Sequence, residues 1–190
     1  MKTKQILSCV PFMFVLVTGC TWDSSSPVSP FWPSTSVKHK ASAYTNGEII
    51  QELMVIDKAE VAAAKVAQRR AQHASVKRYA NLMSTEHTKC LNKLMHFSHT
   101  SGIKPVMSMN ANNVEAHGKA ELAQLETVSN KDFDKTYMDN MIQDHRAALQ
   151  TLDQAIAHAT NPKLTHILKD ARHHVAMHLH KAEKIQKRLH

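Results

Sequence analysis

The sequence is poor in the residues that break helices or build sheets. Its 190 residues include four Gly and six Pro, and aromatic side chains make up 5% of the chain. Strands are usually rich in aromatic and β-branched residues, and no stretch of any length alternates apolar with polar positions as a half-buried strand would. The composition therefore favours helices over sheets.

Long runs of one charge are also missing. The formal net charge is +8 and the isoelectric point is near 9.5, a balance that can indicate nucleic acid or anionic lipid. Here Lys and Arg are scattered among acidic residues, and no five or six like charges follow one another. This pattern argues against a nucleic-acid partner. The residue that is abundant instead is histidine, which occurs 14 times.

The N-terminus is predicted to be a lipoprotein signal peptide. Lys2 and Lys4 precede an apolar run, 6–17, that is too short to span a bilayer as a mature helix. The run ends in Leu-Val-Thr-Gly-Cys, which resembles a bacterial lipobox with Cys20 as the lipidated residue. Residues 1–19 would then be removed, and the chain would be held by its lipid (palmitate among the acyl groups) in the outer membrane, facing the periplasm.

The three cysteines are consistent with the predicted lipoprotein. Cys9 would leave with the signal peptide and Cys20 would carry lipid, so Cys90 alone remains and no intrachain disulfide can form. Residues 20–44 are rich in Ser and Pro, as expected of a tether between the membrane and a folded domain. The domain itself is expected over residues 45–190.

Five segments are predicted as helices from their caps and periodic apolar residues. Thr45–Glu48 and Ser129–Asp132 have the spacing of capping boxes, and Asn161-Pro162 is typical of a helix start. The predicted helices cover residues 45–72, 75–102, 114–125, 129–160 and 161–190. The fold class is therefore all-α, an antiparallel four-helix bundle with one extra short helix between its second and third long helices.

Each long helix carries an apolar stripe at steps of three and four residues, and each stripe has one polar interruption. The interruptions are Glu60, His87, His145 and His178. The first two lie 13 and 14 residues from the turn near His73, and the last two each lie 16 residues from the turn at 161–162. Equal distances from the turn of an antiparallel hairpin mean equal height. The four side chains are therefore expected in one layer of the core.

One carboxylate and three imidazoles at one height are suitable ligands for a transition metal such as Zn, Cu or Fe. Glu86 and Asp144 are each adjacent to a candidate ligand, where they would either accept a hydrogen bond from the outer nitrogen of a ligating ring, on a neighbouring helix for example, or be surface charges. His174, four residues before His178, is a weaker candidate. The alternative is a metal-free layer in which buried His and Glu bond one another and fix the register of the helices.

Two segments resemble a known bacterial envelope family, the domain of unknown function 4142. They are AEVAAAKVAQRRAQHASVKRYANLMSTEHTK (59–89) and DFDKTYMDNMIQDHRAAL (132–149). The resemblance covers residues 48–186 and implies an exported, ferritin-like four-helix bundle. Its motifs fall on the same four polar residues. Glu86 replaces the usual Asp, and each acid is adjacent to its His rather than three residues away as in di-iron ferritins, so di-iron oxidase chemistry is not implied.

Three functions follow as hypotheses. The first is a lipoprotein that binds one transition metal in its core for metal handling or stress defence. The second is a non-catalytic bundle that acts through surface contacts with an envelope protein the sequence does not identify. The third is a metal-dependent oxidoreductase acting on oxygen species. Hydrolase and nucleotide-binding functions are disfavoured, because the sequence shows no nucleophile–base pair and no Gly-rich phosphate loop.

Overall fold

The computed structural model describes residues 44–189, which form five helices. The helices are α1 (Asn46–Arg70), α2 (Ala74–Ser101), α3 (Met109–Thr127), α4 (Asn130–His158) and α5 (Pro162–Gln186). None of the helices in this part of the chain combines the length and apolarity needed to span a membrane. The predicted signal peptide, lipidated cysteine and tether up to residue 43 lie outside the described residues.

Local capping explains most of the helix boundaries. Thr45 accepts a hydrogen bond from the Glu48 amide while Glu48 accepts one from the Thr45 amide, which confirms the predicted capping box. Asn161 accepts from two amides at the start of α5, with Pro162 in the first turn as predicted. The capping box predicted at Ser129 is wrong in detail. Its hydroxyl donates to the Asp132 carboxylate and accepts no hydrogen bond from a backbone amide, although α4 still begins there.

The four long helices form the bundle as two hairpins, α1 with α2 and α4 with α5. Contacts of α1 with α4 and of α2 with α5 close the bundle, which confirms the predicted architecture. The extra helix α3 packs along α1 and touches α4. α3 covers 19 residues and is longer than the predicted 114–125. It begins at Met109 because Ser108 caps it there, accepting a hydrogen bond from the Ala111 amide.

Hydrogen bonds between turns and neighbouring helices hold the hairpins in register. Asp134 on α4 accepts from the backbone amides of Gln72 and His73 in the α1–α2 turn. At the other end, the Asn46 side chain exchanges two hydrogen bonds with Thr160, just before α5. The positions of α1 and α4 relative to one another are therefore fixed at both ends.

One polar layer divides the core into two apolar clusters. The first cluster joins the end of α1, the start of α2 and the start of α4, and it includes Met83, Tyr137 and Met141. The second joins the opposite ends of the same helices and includes Ile49 and Leu152. Between them, every long helix contributes buried polar side chains, which are Asp57, Glu60, His87, His145 and His178. The predicted stripe interruptions are thus all buried at mid-height.

The closest approach of α3 to α1 depends on Gly118. A Cβ atom at this position would lie 2.7 Å from Cβ of Ala59, so any side chain would push the two helices apart. The absence of a side chain therefore sets how deeply α3 reaches toward the polar layer.

We expect Gly118→Ala to lower the free energy of unfolding by up to about 2 kcal/mol. Overpacking costs about 1–3 kcal/mol, and the better helix propensity of Ala offsets about 1 kcal/mol of it. Urea denaturation followed by circular dichroism measures the change. The solvent-exposed Asn113→Ala on the same helix is the control and should stay within about 0.5 kcal/mol of wild type. A Gly118→Ala variant that is more stable than wild type would show that the helices are not in tight contact here.

Candidate metal centre

Three histidines from three different helices meet in the polar layer. His87 comes from α2, His145 from α4 and His178 from α5, and all three are buried. Their ring centroids form a nearly equilateral triangle with sides of 5.8, 5.6 and 5.6 Å. One ligand atom from each residue lies within 4.8 Å of the others. A metal ion bound by three imidazoles needs this convergence.

Hydrogen bonds on the outer side of two rings fix which nitrogen faces the centre. Nδ1 of His145 donates to the carbonyl oxygen of Met141 at 2.8 Å. Nδ1 of His87 lies 2.8 Å from Oδ1 of Asp57 and donates to that carboxylate. Because Nδ1 carries the proton in both rings, Nε2 is left with its lone pair. A carboxylate on the far nitrogen also orients a ring and raises its basicity, as around many metal ions.

The inner nitrogens have no hydrogen-bond partner. Nε2 of His87, Nε2 of His145 and Nδ1 of His178 are all buried and unpaired within the described part of the chain. An unsatisfied buried polar atom costs about 1–3 kcal/mol, and most such atoms in folded proteins are paired. The Nε2 atoms of His87 and His145 both lack a proton and cannot bond each other, and Nδ1 of His178 could donate to only one of them. A cation at the centre of the triangle satisfies all three, so the residues fit a metal ion.

The electrostatics keep the imidazoles of His145 and His178 unprotonated. Burial, together with the neighbouring His87 and His178 rings, holds the pKa of His145 well below its usual value. Burial lowers the pKa of His178 to about 3, with His87 and His174 adding to the effect. Neutral imidazole is the form that ligates metal. His145 and His178 can therefore offer a lone pair to a metal ion at neutral pH.

Glu60 was predicted as the fourth ligand, and the structure places it beside the triangle and not within it. Oε1 of Glu60 lies 3.6 Å from Nδ1 of His145, the nitrogen on the outer side of that ring. Its other oxygen, Oε2, is buried without a partner. Burial raises the pKa of Glu60 well above its usual value, and Asp144 and Glu121 raise it further. Glu60 thus faces a group of carboxylates on the α3 side of the bundle.

The three weaker candidates lie around the centre in different places. Glu86 is half-buried and pairs with Lys89 at 3.0 Å, so it does not accept from a ligating ring. Asp144 lies 2.9 Å from Nε2 of His117 on α3. His174 is exposed, and its ring centroid lies 6.5 Å from that of His178. None of these three belongs to the group of converging ligand atoms around His87.

Asp57, which orients His87, is a site residue that the sequence did not predict. Asp57 lies one turn before Glu60 on α1, and its distance from the turn near His73 also matches that of His87 within one helical turn. Equal height alone therefore does not distinguish the two acids. His117 and Glu121 were not predicted either, and their spacing of four residues on the extra helix was the available signal.

A pocket connects the centre with the surface. It has a volume of about 240 Å³ and lies among α1, α2, α4 and α5, with His87 and His178 in its wall. Most of its lining is apolar, and Cys90, half-buried, contributes a thiol whose pKa is raised by burial and by Asp57. The Cys90 thiol is therefore protonated at neutral pH, and a small ligand or an incoming ion can reach the two imidazoles along this path.

Comparison with known proteins identifies the family. The sequence profile of the domain of unknown function DUF4142 matches residues 33–185. The chain belongs to the DUF4142 family. No curated protein sequence matches it significantly. The match confirms the family that the sequence resembles, and the family description adds no activity.

Two solved structures share the fold. A DUF305 fragment from Deinococcus radiodurans is 15% identical with a TM-score of 0.65, over 74% of this chain and 93% of that chain. A DUF305 protein from Streptomyces coelicolor that is described as secreted is 13% identical with a TM-score of 0.65, over 75% of this chain and 91% of that chain. Both structural similarities show that the DUF4142 chain is a helical bundle.

Acid should destabilise the metal-free protein through its buried histidines. A histidine whose pKa is depressed in the folded state stabilises the fold above pH 6.5, and this stability is lost as the pH falls toward the folded pKa. With the pKa of His178 at about 3, the loss at pH 4 is on the order of 3 kcal/mol. Urea denaturation of the metal-free chain at pH 7 and pH 4 measures it. His178→Gln should lose less stability than wild type over this interval, and an equal loss in both proteins would contradict the assignment.

Proposed function

We propose that this protein binds one transition metal ion through His87, His145 and His178, and that it does so as a lipid-anchored protein of the bacterial cell envelope. The observation that carries the proposal is a set of three buried histidines that bring one ligand atom each within 4.8 Å of the others, while each ring has a buried nitrogen without a partner. An apolar or purely hydrogen-bonded layer gives no reason for three converging rings to keep buried nitrogens without partners.

The donor set narrows the choice of metal. Neutral imidazole suits Zn, Cu, Fe and Ni, and three histidines are a complete protein ligand set for a zinc ion that keeps one position open. Met83 and Met141 are fully buried in the apolar cluster next to the layer, where they fill space. The proposal is therefore Zn²⁺, Cu²⁺ or Fe²⁺, bound by nitrogen and with one position left for water or a small ligand from the pocket.

The envelope location is supported by the N-terminal sequence. The Leu-Val-Thr-Gly-Cys pattern at residues 16–20 is typical of lipoprotein processing, and one of the two proteins with the same fold is described as secreted. A metal site held on a membrane anchor in the periplasm suits capture or buffering of metal ions that enter the envelope. The biochemical role proposed is thus metal handling or defence against metal stress, not catalysis.

Metal content tests the site directly. The full chain, extracted in detergent and purified without a His tag, should carry about one Zn, Cu or Fe per chain by inductively coupled plasma mass spectrometry after loading and dialysis. The triple variant His87→Gln/His145→Gln/His178→Gln should carry at most a tenth as much. Gln retains a polar side chain of similar length, and circular dichroism confirms that the bundle is intact.

The matched control replaces two histidines that face solvent on the same helix. His173→Gln/His180→Gln leaves the polar layer untouched, so its metal content should equal that of wild type. Metal that is lost in the control and kept in the triple variant would place binding on the surface. If the wild-type chain takes up no metal under any loading condition, the proposal is wrong. The polar layer would then only fix the register of the helices.

The anchor is tested separately at Cys20. The wild-type chain should sediment with membranes, and its mass should show an acylated N-terminal residue. Cys20→Ser should remain unprocessed and lack the acyl mass, because the thiol that receives the lipid is absent. Cys90→Ser is the matched control and should be processed like wild type. An unmodified wild-type chain in the soluble fraction would contradict lipid anchoring.

A further inference from the structure

A second group of potential ligands lies on the other side of His145. It consists of His117 and Glu121 on α3 and Asp144 on α4, and one ligand atom of each lies within 4.8 Å of the others. Nε2 of His117 is 2.9 Å from Oδ1 of Asp144. Glu60 on α1 lines the same small cavity as these three residues. Three helices thus bring three carboxylates and one imidazole to one point.

Two of these carboxylates are buried with unpaired oxygens. Glu121 is 9% exposed and Glu60 is 6% exposed. Oε1 of Glu121 and Oε2 of Glu60 have no hydrogen-bond partner in the described structure. Ionised carboxylates are rarely buried unless they are paired or coordinate a metal. No Lys or Arg lines the cavity, and its one basic side chain, His117, already pairs with Asp144, so one imidazole stands against three carboxylates.

The pKa values of the carboxylates are consistent with this excess of buried negative charge. Burial and the adjacent Asp144 raise the pKa of Glu121 to about 9, and Asp144 and Glu121 both raise the pKa of Glu60. Ionised carboxylates this close together repel one another. A divalent cation between them would remove that repulsion.

We infer that His117, Glu121 and Asp144, with Glu60 beside them, form a second cation site, distinct from the three-histidine centre and suited to a harder divalent ion such as Mn²⁺. Carboxylate oxygens are the ligands that Mn²⁺ prefers, and one imidazole is compatible with it. The three-histidine centre is nitrogen-rich and binds Mn²⁺ weakly, since Mn²⁺ is at the bottom of the affinity order for such sites.

Charge balance supports two ions in this layer. The carboxylates around it are Asp57, Glu60, Glu121 and Asp144, which together carry four negative charges when ionised. Two divalent cations carry four positive charges. Glu60 lies between the sites, because it lines the second cavity and its Oε1 is 3.6 Å from Nδ1 of His145. The position of Glu60 beside the triangle, and not within it, is thereby explained.

Titration with Mn²⁺ tests the second site. Free aqueous Mn²⁺ gives a six-line electron paramagnetic resonance spectrum that broadens away when the ion is bound. The full wild-type chain should remove about one equivalent of Mn²⁺ from solution. Glu121→Gln should weaken binding at least tenfold, because Gln keeps the shape of the side chain but not its charge. His117→Asn, at a position that is partly exposed, should do the same without entering the deep core.

Two controls separate this site from the three-histidine centre. His87→Gln/His178→Gln removes that centre and should leave Mn²⁺ binding within about twofold of wild type. Glu115→Gln changes a glutamate on the outer face of α3, where it pairs with Lys119, and should have no effect. The inference is overturned if wild type takes up no Mn²⁺, if Glu121→Gln and His117→Asn bind it as tightly as wild type, or if the double His variant abolishes binding.

Discussion

Three imidazole nitrogens without partners, at the centre of a helical bundle, are the constraint on which the account of this protein depends. Each would cost about 1–3 kcal/mol if left unsatisfied, so a bundle with an apolar layer at this height would be the more stable metal-free protein. The outer nitrogens of His87 and His145 are already held by Asp57 and the Met141 carbonyl. The rings are thus oriented in advance for something at the centre of the triangle.

The rest of the layer follows from that orientation. The hydrogen bond from His87 places Asp57 on the α2 side of α1, which leaves Glu60, one turn later, on the side that α3 covers. Gly118 lets α3 approach close enough for His117 and Glu121 to reach the same depth as Glu60. The buried acids therefore fall into two groups, one that orients a ring and one that is itself a ligand set.

The helices, the stripes and the common height of the polar residues could be predicted from the sequence, because each depends on local periodicity, caps and distance from a turn. Which acid faces which imidazole could not. Asp57 and Glu60 lie one turn apart on the same helix, and only the packing of α1 against both α2 and α3 separates their roles. The cluster around His117 was hidden for the same reason, since nothing local shows where an additional helix will lie.

X-ray absorption at the zinc edge tests the central claim most directly. With one equivalent of Zn²⁺ added to the full chain, we predict about three nitrogen ligands at about 2.0–2.1 Å, with the outer-shell scattering of imidazole rings, and no sulfur at about 2.3 Å. His145→Gln should lose one imidazole from that shell. A first shell of oxygen alone, or a spectrum that His145→Gln leaves unchanged, would contradict binding by the three histidines in the core.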